Sequence, residues 1–223
     1  MRRSILYKEF LKTKWALVGI VAVFAVYLAY LFLNISKSAE INGLASIWSY
    51  MIVKDSAIFE NFKLFPLIAG ILLSATQFIP EASHKRLKLT LHLPYPQGRM
   101  IALMYCYGIL ALCVIFALTA LAIALFMSGL VAKELVIRII LTSLVWFICG
   151  IAGYLWTTAI CLEPTWKMRI LLLVLLAGVV GVCFLSPIAE SYNKFLPWLA
   201  IFVLMGQFLI FYSVSRFKEG LQD

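Results

Sequence analysis

A chain of 223 residues that is 64% hydrophobic and only 13% charged, with a mean hydropathy of +1.02, is too apolar to be a water-soluble globule. The net charge of +9 does not point to nucleic acid, because the basic residues are strung between long apolar runs instead of forming one patch. The five cysteines (Cys106, Cys113, Cys149, Cys161 and Cys183) lie in or at the end of those runs without the local spacing of a zinc site, and they read as small apolar filler.

Residues 1–14, MRRSILYKEFLKTK, place Leu6 and Phe10 one turn apart with Lys8 and Lys12 on another face. The pattern predicts an amphipathic helix at the inner headgroups, after which the chain turns into the membrane. Six apolar runs follow, at 15–34, 64–79, 100–130, 135–161, 170–188 and 195–214. Most are long enough to cross about 30 Å of hydrocarbon as helices. Unpaired backbone groups are too costly in lipid for anything but helices or a closed barrel, and the runs lack the alternation of a barrel. The expected fold is an all-α integral membrane protein: one six-helix domain over 15–214 and a short tail, 215–223. A basic start and a long first apolar run without a small-x-small exit argue against a cleaved signal peptide.

Between the first two runs, residues 35–63 carry Ile41, Leu44, Trp48 and Met51 at helix-like spacing, with Tyr50 nearby, which predicts a short helix on the outer leaflet. The second run has Pro66 in its first turn, then Gly70, Ser74, Thr76 and Gln77. The third is about thirty residues long and predicts one tilted or projecting helix. Gly150, Gly153 and Thr157 in the fourth run, and Ala177 and Gly181 in the fifth, predict close helix packing. If the N-terminus is cytoplasmic, thirteen basic residues fall in inner segments and six (Lys37, Lys54, Lys63, Lys133, Arg138 and Lys194) in outer ones. That asymmetry predicts both termini inside.

One polar stretch interrupts the apolar pattern, EASHKRLKLTLHLPYPQGR over residues 81–99. Pro80 and Glu81 suit a helix start, and Pro94 and Pro96 end the segment. Leu87, Leu89, Leu91 and Leu93 alternate like a strand, yet they also pair four apart; a short helix over about 81–89 followed by a turn is expected.

An amphipathic start, six spans, and an inner loop after the second span with Glu81, Arg86, Thr90, Leu91, Leu93, Pro94 and Arg99 resemble the type-2 ABC exporter permeases over essentially the whole chain. The chain departs from that pattern where Lys88 and Leu89 stand in place of a glycine before the threonine. The resemblance implies half of a transmembrane dimer in the cytoplasmic (inner) membrane, paired with a second permease copy or homologue, with two ABC ATPase subunits docked beneath. The loop would then be a coupling helix with Glu81, Ser83, His84, Lys85, Arg86 and Leu87 at the ATPase: Glu81 and Arg86 as polar contacts, Leu87 as an apolar anchor. Spans two and five would line the cargo path, to which Ser74, Thr76 and Gln77 are the polar candidates. ATP and magnesium would belong to the partner ATPase, since this chain has no phosphate-cradling glycine loop and no cofactor, metal or nucleic-acid site of its own is expected. With no charge at the centre of any span, ion-coupled transport is poorly supported and an apolar or amphipathic cargo fits. The rival readings are an intramembrane enzyme, disfavoured because His84 and His92 share one loop and no Asp or Glu occupies a span centre, and a non-catalytic membrane scaffold or assembly subunit. Glu163-Pro164 reads as a helix terminator.

Overall fold

The computed structural model describes residues 2–43, 48–49, 59–83, 96–186, 188 and 190–219. These form six helices, each long and apolar enough to cross a membrane: α1 (Arg2–Asn42), α2 (Leu64–Ser83), α3 (Gln97–Ser128), α4 (Lys133–Leu162), α5 (Trp166–Cys183) and α6 (Leu196–Glu219). A single 3-10 turn, Glu60–Phe62, leads into α2, and no strand occurs among the described residues. The expected multi-span helical protein is what the chain builds, with α3 unbroken as anticipated.

The first helix differs from expectation. Residues 2–42 form one uninterrupted helix with no turn at residue 15, about 60 Å long at 1.5 Å per residue. The reason lies in the side that faces inward. Glu9, Thr13, Ile20, Phe24, Leu28, Leu31 and Ile35 are buried and recur at steps of three, four or seven residues along a single stripe. The N-terminal segment therefore continues the packing of the span. Leu6 and Phe10, read as the apolar face, point outward and the polar Glu9 and Thr13 point in.

The second helix also outruns its prediction. It passes through Pro80 to Ser83, so Pro80 lies in a last helical turn instead of starting a new helix. Only the bond to the Thr76 carbonyl is forfeited there, and the buried Glu81 holds the turn in place. Residues 84–95, and with them the predicted strand-like leucines, lie outside the described residues. So do Leu44, Tyr50 and Met51 of the predicted outer helix, of which Ile41 instead belongs to the end of α1.

α4 is the hub. Its contact with α2 is the most extensive in the bundle, and it also touches α3, α5 and α6, whereas α1 lies against α2 and α3. Glycines set the α2–α4 distance: a Cβ on Gly70 would run into the carbonyl oxygen of Gly150, one on Gly150 would come within 2.6 Å of the Pro66 carbonyl oxygen, and one on Gly153 would crowd Leu67. The expectation for Gly150 and Gly153 holds. It fails for Gly181, which has nothing within 4 Å and opens outward within this chain. Around the start of α2, Phe24, Tyr27, Phe62, Phe65, Phe116 and Phe147 interlock α1 to α4, with Tyr27–Phe65 centroids 4.1 Å apart and Phe116–Phe147 5.0 Å apart.

Gly150→Val is expected to lower stability by about 2 kcal/mol or more, because overpacking strains both helices. Gly181→Val should leave the thermal midpoint of the detergent-purified chain unchanged. Equal effects of the two substitutions would contradict this packing.

Candidate functional site

The most polar part of the interior lies where α1, α2, α3 and α4 meet at the end of the bundle that carries the N-terminus. Trp15, 77% exposed, sits where an interfacial tryptophan is expected, with the Lys14 ammonium 5.6 Å from its ring. Glu9 precedes it by six residues, about 9 Å along the helix, which puts the polar cluster near headgroup level.

Gln77 of α2 is fully buried at its centre. Its Nε2 donates to Glu9 Oε2 and to the Met104 carbonyl oxygen, both at 2.8 Å, and its Oε1 accepts the Tyr154 hydroxyl at 2.7 Å. One amide thus ties four helices together. Tyr154 reaches it because Gly108 has no side chain; a Cβ there would overlap the phenol. Thr158 Oγ1 donates to the Tyr154 carbonyl at 2.8 Å, which leaves the Ser74 hydroxyl to donate to Thr158 at 2.9 Å.

The charges close the other side. Lys12 Nζ lies 3.0 Å from Glu9 Oε1 and 3.1 Å from Glu81 Oε1, and Lys8 Nζ lies 2.8 Å from the same Glu81 oxygen. Two carboxylates and two ammoniums balance, as they must where burial strips charges of water. Thr13 adds a bond to the Glu9 carbonyl at 2.9 Å and a contact with the Tyr107 hydroxyl at 3.2 Å.

The candidate residues lie in different settings. Glu81, read as an ATPase contact, is 1% exposed and its Oε1 is committed to Lys8 and Lys12 within the chain. Ser83 is exposed, whereas His84, Lys85, Arg86 and Leu87 lie outside the described residues. Of the polar side chains considered for a cargo path, Ser74 and Gln77 are buried and hydrogen-bonded inside the bundle, and Thr76 is exposed with its hydroxyl returned to the Leu73 carbonyl. Glu9 and Tyr154 carry the cluster and were not singled out by sequence. The available signals were the i,i+3 spacing of Glu9 and Lys12, and a glutamine and a tyrosine isolated in otherwise apolar spans.

Chemically the cluster is a clamp. Each acid faces a lysine or an amide donor, and no group of three metal-ligating side chains occurs among the described residues. At the same end, Glu163 Oε1 accepts from Thr165 at 2.9 Å and pairs with Arg216 Nη1 at 3.2 Å, and its carbonyl accepts Arg169 Nε at 2.7 Å. The terminator reading of Glu163-Pro164 holds, since α4 stops at Leu162, but Glu163 also fastens α6 to the α4–α5 corner.

Tyr154→Phe should cost about 1–3 kcal/mol, the penalty for leaving a buried acceptor unmet, and Glu9→Ala about 3–5 kcal/mol because Lys12 loses its nearest partner. A thermal-unfolding double-mutant cycle of Tyr154→Phe with Gln77→Leu should be clearly non-additive; simple additivity would mean that the hydrogen bond is energetically silent.

No family model matches the chain, and neither a curated protein nor a solved structure matches it.

Proposed function

We propose that the chain is the permease subunit of an ATP-driven exporter of the ABC type in the cytoplasmic membrane, working with separate ATPase subunits and a second permease copy. The observation that carries the reading is the clamp at the end of α2. The basic segment 84–95 follows in sequence on a turn pinned by Glu81 to Lys8 and Lys12 of α1. A push on such a segment is delivered to two spans at once, and through Gln77 and Tyr154 to α3 and α4. A loop that merely bridges two spans needs no buried charge at its root, where the desolvation cost is several kcal/mol per ion. In this reading Glu81 transmits force from within, and Lys85, Arg86 and Leu87 remain the residues offered to the ATPase.

The path for cargo also moves. With Ser74 and Gln77 engaged internally, the place for an apolar or amphipathic molecule is a cleft of about 750 Å³ between α5 and α6, walled by Val174, Val179, Leu199, Phe202 and Met205 above Trp156. Gly178 borders it with nothing within 4 Å, so a side chain added there would enter the cleft.

Co-purification with an ABC ATPase tests the assignment. Arg86→Ala is expected to weaken docking about tenfold or more, the scale of an interfacial hot spot, while leaving thermal stability unchanged. Glu81→Gln should still dock but uncouple ATP hydrolysis from cargo. Gly178→Phe should abolish cargo stimulation without loss of folding. Unaltered docking and cargo-stimulated hydrolysis in Arg86→Ala would remove the coupling role.

A further inference from the structure

Between Trp198 and Phe211, α6 has a single polar side chain, Gln207. It lies nine residues after Trp198 and nine before Arg216, about 14 Å along the helix from each. Trp198 is 67% exposed, as suits a ring at a membrane interface, and Arg216 is tied to Glu163 where α4 ends. With about 30 Å of hydrocarbon between the two interfaces, Gln207 sits near the midplane.

The two ends of its amide are met differently. Oε1 accepts the Tyr105 hydroxyl of α3 at 3.3 Å and keeps a second lone pair. Nε2 donates to nothing among the described residues, and it is not shut inside: the side chain is half-buried and the nitrogen stays accessible at the surface of the bundle. Acyl chains offer no acceptor at that depth, so amide protons left in lipid are costly and call for a protein partner.

The residues around Gln207 show where such a partner fits. Ala200, Leu204, Gln207 and Phe211 follow one another at steps of four, three and four, the spacing of a seam between two helices. None of the four is fully covered by the chain's own helices, and Leu204 is 52% exposed, whereas Val203, Ile210 and Val214 on the neighbouring flank are buried in the bundle. The seam is also a different flank of α6 from that which walls the cleft at α5 with Phe202, Met205 and Leu209.

We propose that this seam of α6 seats a second copy of the chain, in a two-fold dimer in which each Gln207 Nε2 donates to the other's Oε1. Two copies inserted the same way carry Gln207 at the same depth, so a two-fold axis along the membrane normal brings the two amides together. An amide is self-complementary, since it supplies both the donor and the acceptor that its twin needs. The two Leu204 side chains then meet one turn away, and the polar pair fixes the register of an otherwise apolar seam. The inference does not rest on the permease reading and requires only that the chain reside in a bilayer; a dimer through another face would leave that reading standing.

Energy transfer between donor-labelled and acceptor-labelled copies of the full chain in phosphatidylcholine vesicles, diluted stepwise with lipid, tests it. The unaltered chain should associate as a dimer. Gln207→Leu should need about tenfold more protein for half-association, the scale of two interhelical hydrogen bonds in lipid. Tyr105→Phe removes only the bond within the chain and should leave association unchanged. Leu204→Cys, oxidised with copper phenanthroline in the same vesicles, should give a covalent dimer beyond any that the unaltered chain yields through its exposed Cys106 and Cys113. A monomeric unaltered chain overturns the proposal, as does undiminished association of Gln207→Leu or the lack of an added covalent dimer. Should Gln207→Leu fail to fold, the Leu204→Cys link decides alone.

Discussion

The structure depends on one constraint: Glu9, carried on a membrane-entering helix, must have its charge met inside the bundle. A carboxylate that loses water needs donors on every side, and here they come from Lys12 on its own helix and Gln77 on α2. The amide of Gln77 then has an oxygen to satisfy, which recruits Tyr154 of α4, and Tyr154 reaches it only past Gly108 of α3. Lys12 has capacity left, which draws Glu81 and with it Lys8. Apart from the Glu9–Lys12 pair, each requirement created by one residue is met by a residue on another helix. The long α1 and the helical turn beyond Pro80 follow, because both carry members of this chain of partners.

The remainder of the bundle divides by depth. Rings interlock around the start of α2, glycines bring α2 and α4 together beside them, and charges close the end that carries the N-terminus. These contacts bind α1 to α4 into one body. α5 has α4 as its main neighbour, and Glu163–Arg216 gives α6 a charged tie at the end that carries the N-terminus. Two clefts border α5: one between α5 and α6, the other at the α4–α5 corner. A firm four-helix body with two less embedded helices is the arrangement in which relative movement costs least, since fewer buried contacts must be broken. The same division separates the Gln77–Tyr154 tie from the apolar cleft at α5.

Much of the architecture was legible because lipid leaves little choice. Six apolar runs of sufficient length become six helices, and the register of Gly150 and Gly153 marks a close approach. The candidate site was legible only in part. Gln77 stood out as a polar residue in an apolar span, but its use as an internal tie depends on Tyr154, seventy-seven residues away. Gly181 looked like Gly150 in sequence and faces open space in the structure. Glu81 looked like the first residue of an exposed loop because proline precedes it and basic residues follow; its lysine partners lie about seventy residues earlier in the chain.

What the sequence determined by itself is the apolar character of this protein and the number and type of its helices that are long enough to cross a membrane. These follow from hydropathy and length, which are local sums over neighbouring residues. Which polar side chains face inward was decided by the tertiary structure alone. Helical periodicity permits Leu6 and Phe10 or Glu9 and Thr13 to be the packed face of α1, and the choice falls to the polar pair because Gln77, Lys12 and Tyr107 are there to receive them. A buried charge is stable only where its partners are, and their positions are a property of the assembled bundle.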